Sequence, residues 1–127
     1  MSQEQNPRPK VRSYRDLLAW QKAMDLLVLV YTVTGTWPRE ELYGLTRQAR
    51  DAAVSVPANI AEGFGRGSPR QFDQFLNISY GSLMELETEI IAGGRLGYSP
   101  PDVIETVLSA CAEVGRLING LRNSLSL

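Results

Sequence analysis

The 127 residues carry 13 Lys and Arg against 14 Asp and Glu, for a net charge of -1, and are 43% apolar and 21% charged. This is the composition of one ordinary globular domain, long enough to bury a core unaided by disulfides or a structural metal. A mean hydropathy of -0.16 and a densest apolar run of only Leu26 to Tyr31 exclude a membrane-spanning helix, and the absence of histidine excludes His-based nucleophile triads and histidine-bearing zinc or di-iron sites.

Met1 to Arg12 is polar, contains Pro7 and Pro9 and lacks an apolar signal core. Residues 1–13 therefore read as a flexible basic arm, 14–127 as the folded domain, and the cytoplasm as the expected location. Residues 1–70 hold ten Lys/Arg and seven Asp/Glu, whereas 71–127 hold three and seven. Arg8, Lys10, Arg12, Arg15 and Lys22 cluster at the start, a pattern that suits a solvated tail or a nucleic-acid contact.

A helical pattern begins at Ser13 or Tyr14 and runs to about Thr34, with Leu17, Trp20, Met24, Leu27 and Tyr31 as its seam. Leu18, Val28, Leu29, Val30 and Val33 lie off that seam, so this helix is expected to bury two sides, in the bundle or against another subunit. Gly35-Thr-Trp-Pro38 breaks it. A second helix is expected from about Arg39 to Phe64, with Leu42, Leu45, Ala49, Ala52, Val56 and Ile60 inward. Pro57 sits inside it, lacks the N–H that would reach Ala53, and should bend or loosen the helix there.

Ser68-Pro-Arg-Gln71 then reads as cap, first-turn proline and capping-box partner. The third helix extends to about Leu96 along Phe72, Phe75, Leu76, Ser79, Leu83, Leu86 and Ile90, with Gly81 and Gly93 as flat patches for close contact. Gly97-Tyr-Ser-Pro-Pro101 is the next break, Ser99 its expected cap. The fourth helix carries Ile104, Val107, Leu108, Cys111, Val114, Ile118, Leu121 and Leu125, which makes Cys111 a buried small hydrophobe. Four helices joined by short breaks predict an all-α, up-down-up-down four-helix bundle with a Pro-bent second helix.

Three constellations could carry function. Gly63-Phe-Gly-Arg-Gly67 with Ser68 and Arg70 offers backbone N–H groups and guanidinium groups to an anion, although no strand precedes it as a P-loop requires. Glu85 and Glu89 share a face of the third helix one turn after Ser82. They would meet Ser55, Asn59 and Glu62 if helices two and three pack antiparallel, as a buried polar network, an oligomer contact or a carboxylate site for a hard ion. Asn59, beside Pro57, is placed to satisfy backbone groups that the proline frees.

Asp16-Leu-Leu-Ala-Trp-Gln-Lys-Ala23, Glu41-Leu-Tyr-Gly-Leu45 with Gln48, Ala53-Val-Ser-Val-Pro-Ala-Asn-Ile-Ala-Glu-Gly-Phe-Gly-Arg66, Gly81-Ser-Leu-Met-Glu-Leu-Glu87 and Leu96-Gly-Tyr98 form an ordered series. It resembles the four-helix-bundle proteins encoded in intervening sequences of bacterial 23S rRNA genes. The likeness covers about Tyr14 to Tyr98 and rests on Trp20, Gln21, Gln48, Ser55, Pro57, Asn59, Glu62, Gly63, Arg66, Ser82 and Glu85. It implies a ring-like homopentamer, and no enzymatic activity is established for the family; no cofactor and no membrane partner are expected. Similar proteins serve as accessory subunits beside reverse transcriptases in diversity-generating retroelements, where a strongly basic pentamer binds nucleic acid. This chain departs from the basic type with a pI near 5.4. Arg8, Lys10, Arg12, Arg15, Lys22, Arg47, Arg50, Arg66 and Arg70 are the cations expected to meet phosphates in RNA or DNA. A protein-interaction module without nucleic acid, and a metal enzyme using Glu62, Glu85 and Glu89, are the alternatives.

Overall fold

The computed structural model describes residues 11–127, so Arg8, Lys10 and most of the expected arm lie outside the described residues. Its helices are α1 (Leu18–Thr34), α2 (Leu45–Gly65), α3 (Pro69–Arg95) and α4 (Pro101–Asn123), with single 3-10 turns at Tyr14–Asp16 and Arg39–Glu41. A capping box fixes the first turn. The Ser13 hydroxyl accepts from Arg15 N, while Asp16 Oδ2 accepts from the backbone of Arg12 at 2.8 Å and of Ser13 at 3.2 Å. At α3 the Ser68 hydroxyl accepts from Gln71 N at 3.1 Å, ahead of Pro69 in the first turn.

Helices consecutive in the chain pack on one another, α4 closes against α1, and the diagonal pairs do not approach. This is the expected up-down-up-down bundle. The most extensive contact joins α2 to α3, because Ala49, Ala52, Ala53 and Gly63 let the backbones come close. A Cβ on Gly63 would stand 2.6 Å from Phe75 Cβ. Val56 and Ile60 of α2, Leu76, Leu83, Leu86 and Ile90 of α3, and Val107, Cys111 and Ile118 of α4 are wholly buried. The Cys111 thiol is pushed up to about 12, first by burial and then by the nearby Glu87 charge.

In α1 the buried stripe is Ala19, Ala23, Leu26, Val30 and Val33. Trp20, Met24 and Leu27 of the expected seam are half-buried and Tyr31 is exposed. Leu17, the one member of that seam in the core, lies just before the helix as its cap in extended conformation. Small alanines at Ala19 and Ala23 admit the neighbouring helices closely, which turns the bulkier stripe towards the surface.

The second helix starts six residues later than expected. Arg39–Glu41 forms its own turn, and Glu41 Oε1 accepts from Leu45 N at 3.0 Å to start α2. That bond and a second from the Tyr98 hydroxyl hold the Glu41 carboxyl below the usual range.

Pro57 is buried and α2 continues through it uninterrupted. The Ser79 hydroxyl of α3 donates to Val56 O at 2.8 Å and pins the proline turn to its neighbour. Asn59 behaves differently from expectation: its amide donates to Ser55 O and Ser55 Oγ, both at 2.9 Å, and does not reach the Ala53 carbonyl. Ser99 is not a cap, since Pro100 takes that place and α4 begins at Pro101. Its hydroxyl accepts instead from Trp37 Nε1 at 2.8 Å. The Trp37 ring rests on Gly93, where a Cβ would stand 2.4 Å from the indole, and tilts against Tyr98 at 5.8 Å. Gly93 is thus a close-contact site as expected. Gly81 faces open space and is not.

Candidate functional site

Antiparallel packing brings one face of α2 against one face of α3 around a polar groove of about 360 Å³. Gln48, Asp51, Ala52 and Ser55 line it from α2, and Ser82, Glu85 and Glu89 from α3. Ser55 Oγ and Ser82 Oγ share a hydrogen bond of 2.8 Å across the helix boundary. Since Ser55 also accepts from Asn59, three residues from two helices form one chain of hydrogen bonds.

Glu89 is the one buried acid of this lining, Asp51 and Glu85 being exposed. It is 9% exposed, and its Oε1 has no hydrogen-bond partner. Burial, and then the charges of Glu85 and Asp51, raise its carboxyl from an ordinary 4.5 to about 7. Glu87, on the opposite side of the same helix turn, is raised by burial alone.

The expected meeting of Ser55, Ser82, Glu85 and Glu89 is therefore present. Glu62 does not join them; it pairs with Arg66 at 2.7 Å one turn along α2. Its separation from Glu85 and Glu89 removes the three-carboxylate site drawn from the sequence, and the described residues contain no set of three acidic or thiol side chains converging on a metal-sized point. Gln48 and Asp51 take the remaining places. Their i, i+3 and i, i+4 spacing towards Ser55 was a usable signal.

The topology also sorts charge. Because the helices alternate in direction, the starts of α1 and α3 share one end of the bundle with the ends of α2 and α4. Phe64 against Phe72 at 5.9 Å and the grouping of Leu17, Leu18 and Ala19 with Arg116, Leu117 and Leu121 mark this end. Arg12, Arg15, Lys22, Arg66, Arg70, Arg116 and Arg122 lie towards it. Glu40, Glu41, Asp102 and Glu105 lie at the other end together with Arg39 and Arg95, and Asp16, Glu62 and Asp73 lie among the cations of the first end, so the sorting is an excess at each end.

Arg47 and Arg50, expected with the other cations, sit near the acidic end. Arg47 lies 3.7 Å from Asp51, and Arg50 donates to Thr34 Oγ1 at 3.0 Å and stacks over Tyr31. Arg66 is at the basic end but engaged with Glu62 and the Phe75 ring. Arg122 is held by Asp73 at 2.8 Å, which lowers that carboxyl. Arg116 was missed, because only the bundle closure of α4 on α1 carries it there. In the glycine segment Gly63 and Gly65 remain helical, and only Gly67 has a positive φ, of 81°, at the turn into α3.

An antiparallel bundle with a proline-bearing second helix, a serine-linked polar groove and charge sorted to its two ends is the class of protein that these features define. Residues 15–120 match the family model of the 23S rRNA-intervening sequence protein, and the chain belongs to that family. The match reaches well into α4, beyond the stretch over which the motifs alone carried the likeness.

A crystal structure of a protein of unknown function from the S23 ribosomal protein family of Bacteroides thetaiotaomicron superposes with a TM-score of 0.75. It is 19% identical, and the alignment covers 84% of this chain and 100% of that one, a likeness of fold. No protein of curated function matches. Among the described residues, no helix is long and apolar enough to cross a membrane.

Proposed function

We propose that the chain is a non-enzymatic homo-oligomer, pentameric as its resemblance implies, that acts as a scaffold or accessory subunit in RNA or DNA transactions, for instance beside a reverse transcriptase. The observation that carries this reading is the sorting of charge along the bundle. Arg12, Arg15, Lys22, Arg70 and Arg116 form no ion pair with another described residue, and they lie towards one end. In a ring they would be repeated in each copy, which compensates for a chain whose net charge is only -1. Assembly is supported by apolar side chains left outside the bundle, with Leu18 at 52%, Val28 at 61% and Tyr31 at 42% exposure on α1 alone.

Fluorescence anisotropy of labelled single-stranded RNA and DNA across a salt series tests the reading. The expected result is an affinity that falls linearly on logarithmic axes, with a slope of about -0.7 for each phosphate contacted. Replacing Arg15 and Arg70 by glutamine reduces that slope. If no binding is seen at low salt, the protein-interaction reading takes over, in which the basic end of one molecule meets the acidic end of another.

A further inference from the structure

We infer that the groove between α2 and α3 is a binding site for a guanidinium group, received by Glu89, Glu85 and Asp51. The inference concerns a single subunit and does not rest on nucleic-acid binding. Its first support is the Glu89 carboxylate, nine-tenths buried yet with Oε1 lacking any donor. Buried polar atoms in folded proteins nearly always have a partner, and Glu89 lines the groove, so its bare Oε1 is the acceptor that a donor entering the groove would satisfy. The second support is the make-up of the walls. Two more carboxylates line the groove and no basic side chain does. Arg47 reaches only the outer side of Asp51, at 3.7 Å with both side chains mostly exposed, a contact of little energy.

The shape of the acceptor set selects the cation. Three acids that do not converge on one point suit a planar ion with several donors spread in a fork better than a small spherical one. A guanidinium is also more weakly hydrated than an ammonium, so it loses less on entering a half-enclosed site. The groove, at about 360 Å³, has room for the head group while its alkyl stem leaves towards solvent. Ser82 and Gln48 supply further acceptors along the wall; Ser55 Oγ already receives Asn59. The same chemistry is presented by a free alkylguanidinium and by an arginine side chain of a polypeptide.

Titration calorimetry with agmatine and with acetyl-arginine-amide, alongside butylamine and magnesium chloride, decides the matter. The expected result is binding of at least one guanidinium compound about tenfold or more tightly than butylamine. Preference for agmatine assigns the site to a free small molecule, preference for the arginine amide to a polypeptide side chain, and equal binding to the head group alone. Glu89→Gln should weaken binding at least tenfold while the circular dichroism melt remains cooperative. Asp51→Asn, at an exposed position, should weaken it several-fold without touching the core. The inference is overturned if neither guanidinium compound binds, if butylamine or Mg²⁺ binds as well as they do, or if binding survives both substitutions.

Discussion

Replacing Glu89 by glutamine keeps the shape of the side chain and removes its charge, and the consequence should depend on pH. In the folded protein the carboxyl is raised from 4.5 to about 7 by burial and by Glu85 and Asp51. Between those two values the folded state keeps a proton that the unfolded state has released, so stability falls as pH rises through that window. Each unit of difference corresponds to about 1.4 kcal/mol, which sets a ceiling of about 3.5 kcal/mol. Water in the open groove screens the neighbouring charges, and about 1–2 kcal/mol is the expected size. Glu89→Gln does not titrate. Its stability relative to the natural protein should therefore rise by about 1–2 kcal/mol from pH 5 to pH 8. Urea unfolding followed by circular dichroism, at one protein concentration and without ligand, measures this difference. An unchanged difference between the two proteins at pH 5 and pH 8 would refute the claim that Glu89 is a strained, uncompensated acid.

Two glycines of α3 should respond in opposite directions to alanine. Gly93→Ala drives a methyl into the Trp37 ring and should cost about 1–3 kcal/mol, whereas Gly81→Ala enters open space in mid-helix and should stabilise by about 0.5–1 kcal/mol; thermal melts of the pair test the contrast. Ser79→Ala removes the donor to Val56 O beside Pro57 and should destabilise by about 1–2 kcal/mol, with Ser79→Thr in place of alanine recovering part of the loss in the same melts.

The number of helices, their order and the inward faces of α2, α3 and α4 were legible because each has a single apolar stripe bounded by polar residues; the exception is Leu42, expected inward, which lies ahead of α2 and is 43% exposed. In α1 two stripes compete. Leu26, Val30 and Val33 face inward while Leu27, Val28 and Tyr31 are also apolar, and bulk pointed to the wrong one. What decided between them was the smallness of Ala19 and Ala23, a property that matters only once a neighbour is in place. The Ser99 hydroxyl shows the same limit. Locally it reads as a cap, but its partner Trp37 lies 62 positions away and takes it first.

The polar groove was half legible. Ser55, Ser82, Glu85 and Glu89 follow from helix periodicity and an antiparallel pairing. Glu62 was drawn into the same cluster because it shares α2 with Ser55; seven positions on, it is beyond the groove and closer to Arg66. Charge sorting was hidden in the halves of the sequence. The basic end collects residues from the beginning, middle and end of the chain, including Arg116 from the acidic half.

The assembly of the chain is the claim on which the proposed function turns. Light scattering coupled to size exclusion at micromolar concentration measures the particle mass directly. The account predicts a particle of five times the 14.1 kDa chain mass. A particle of one chain mass, unchanged as the concentration is raised, would contradict it.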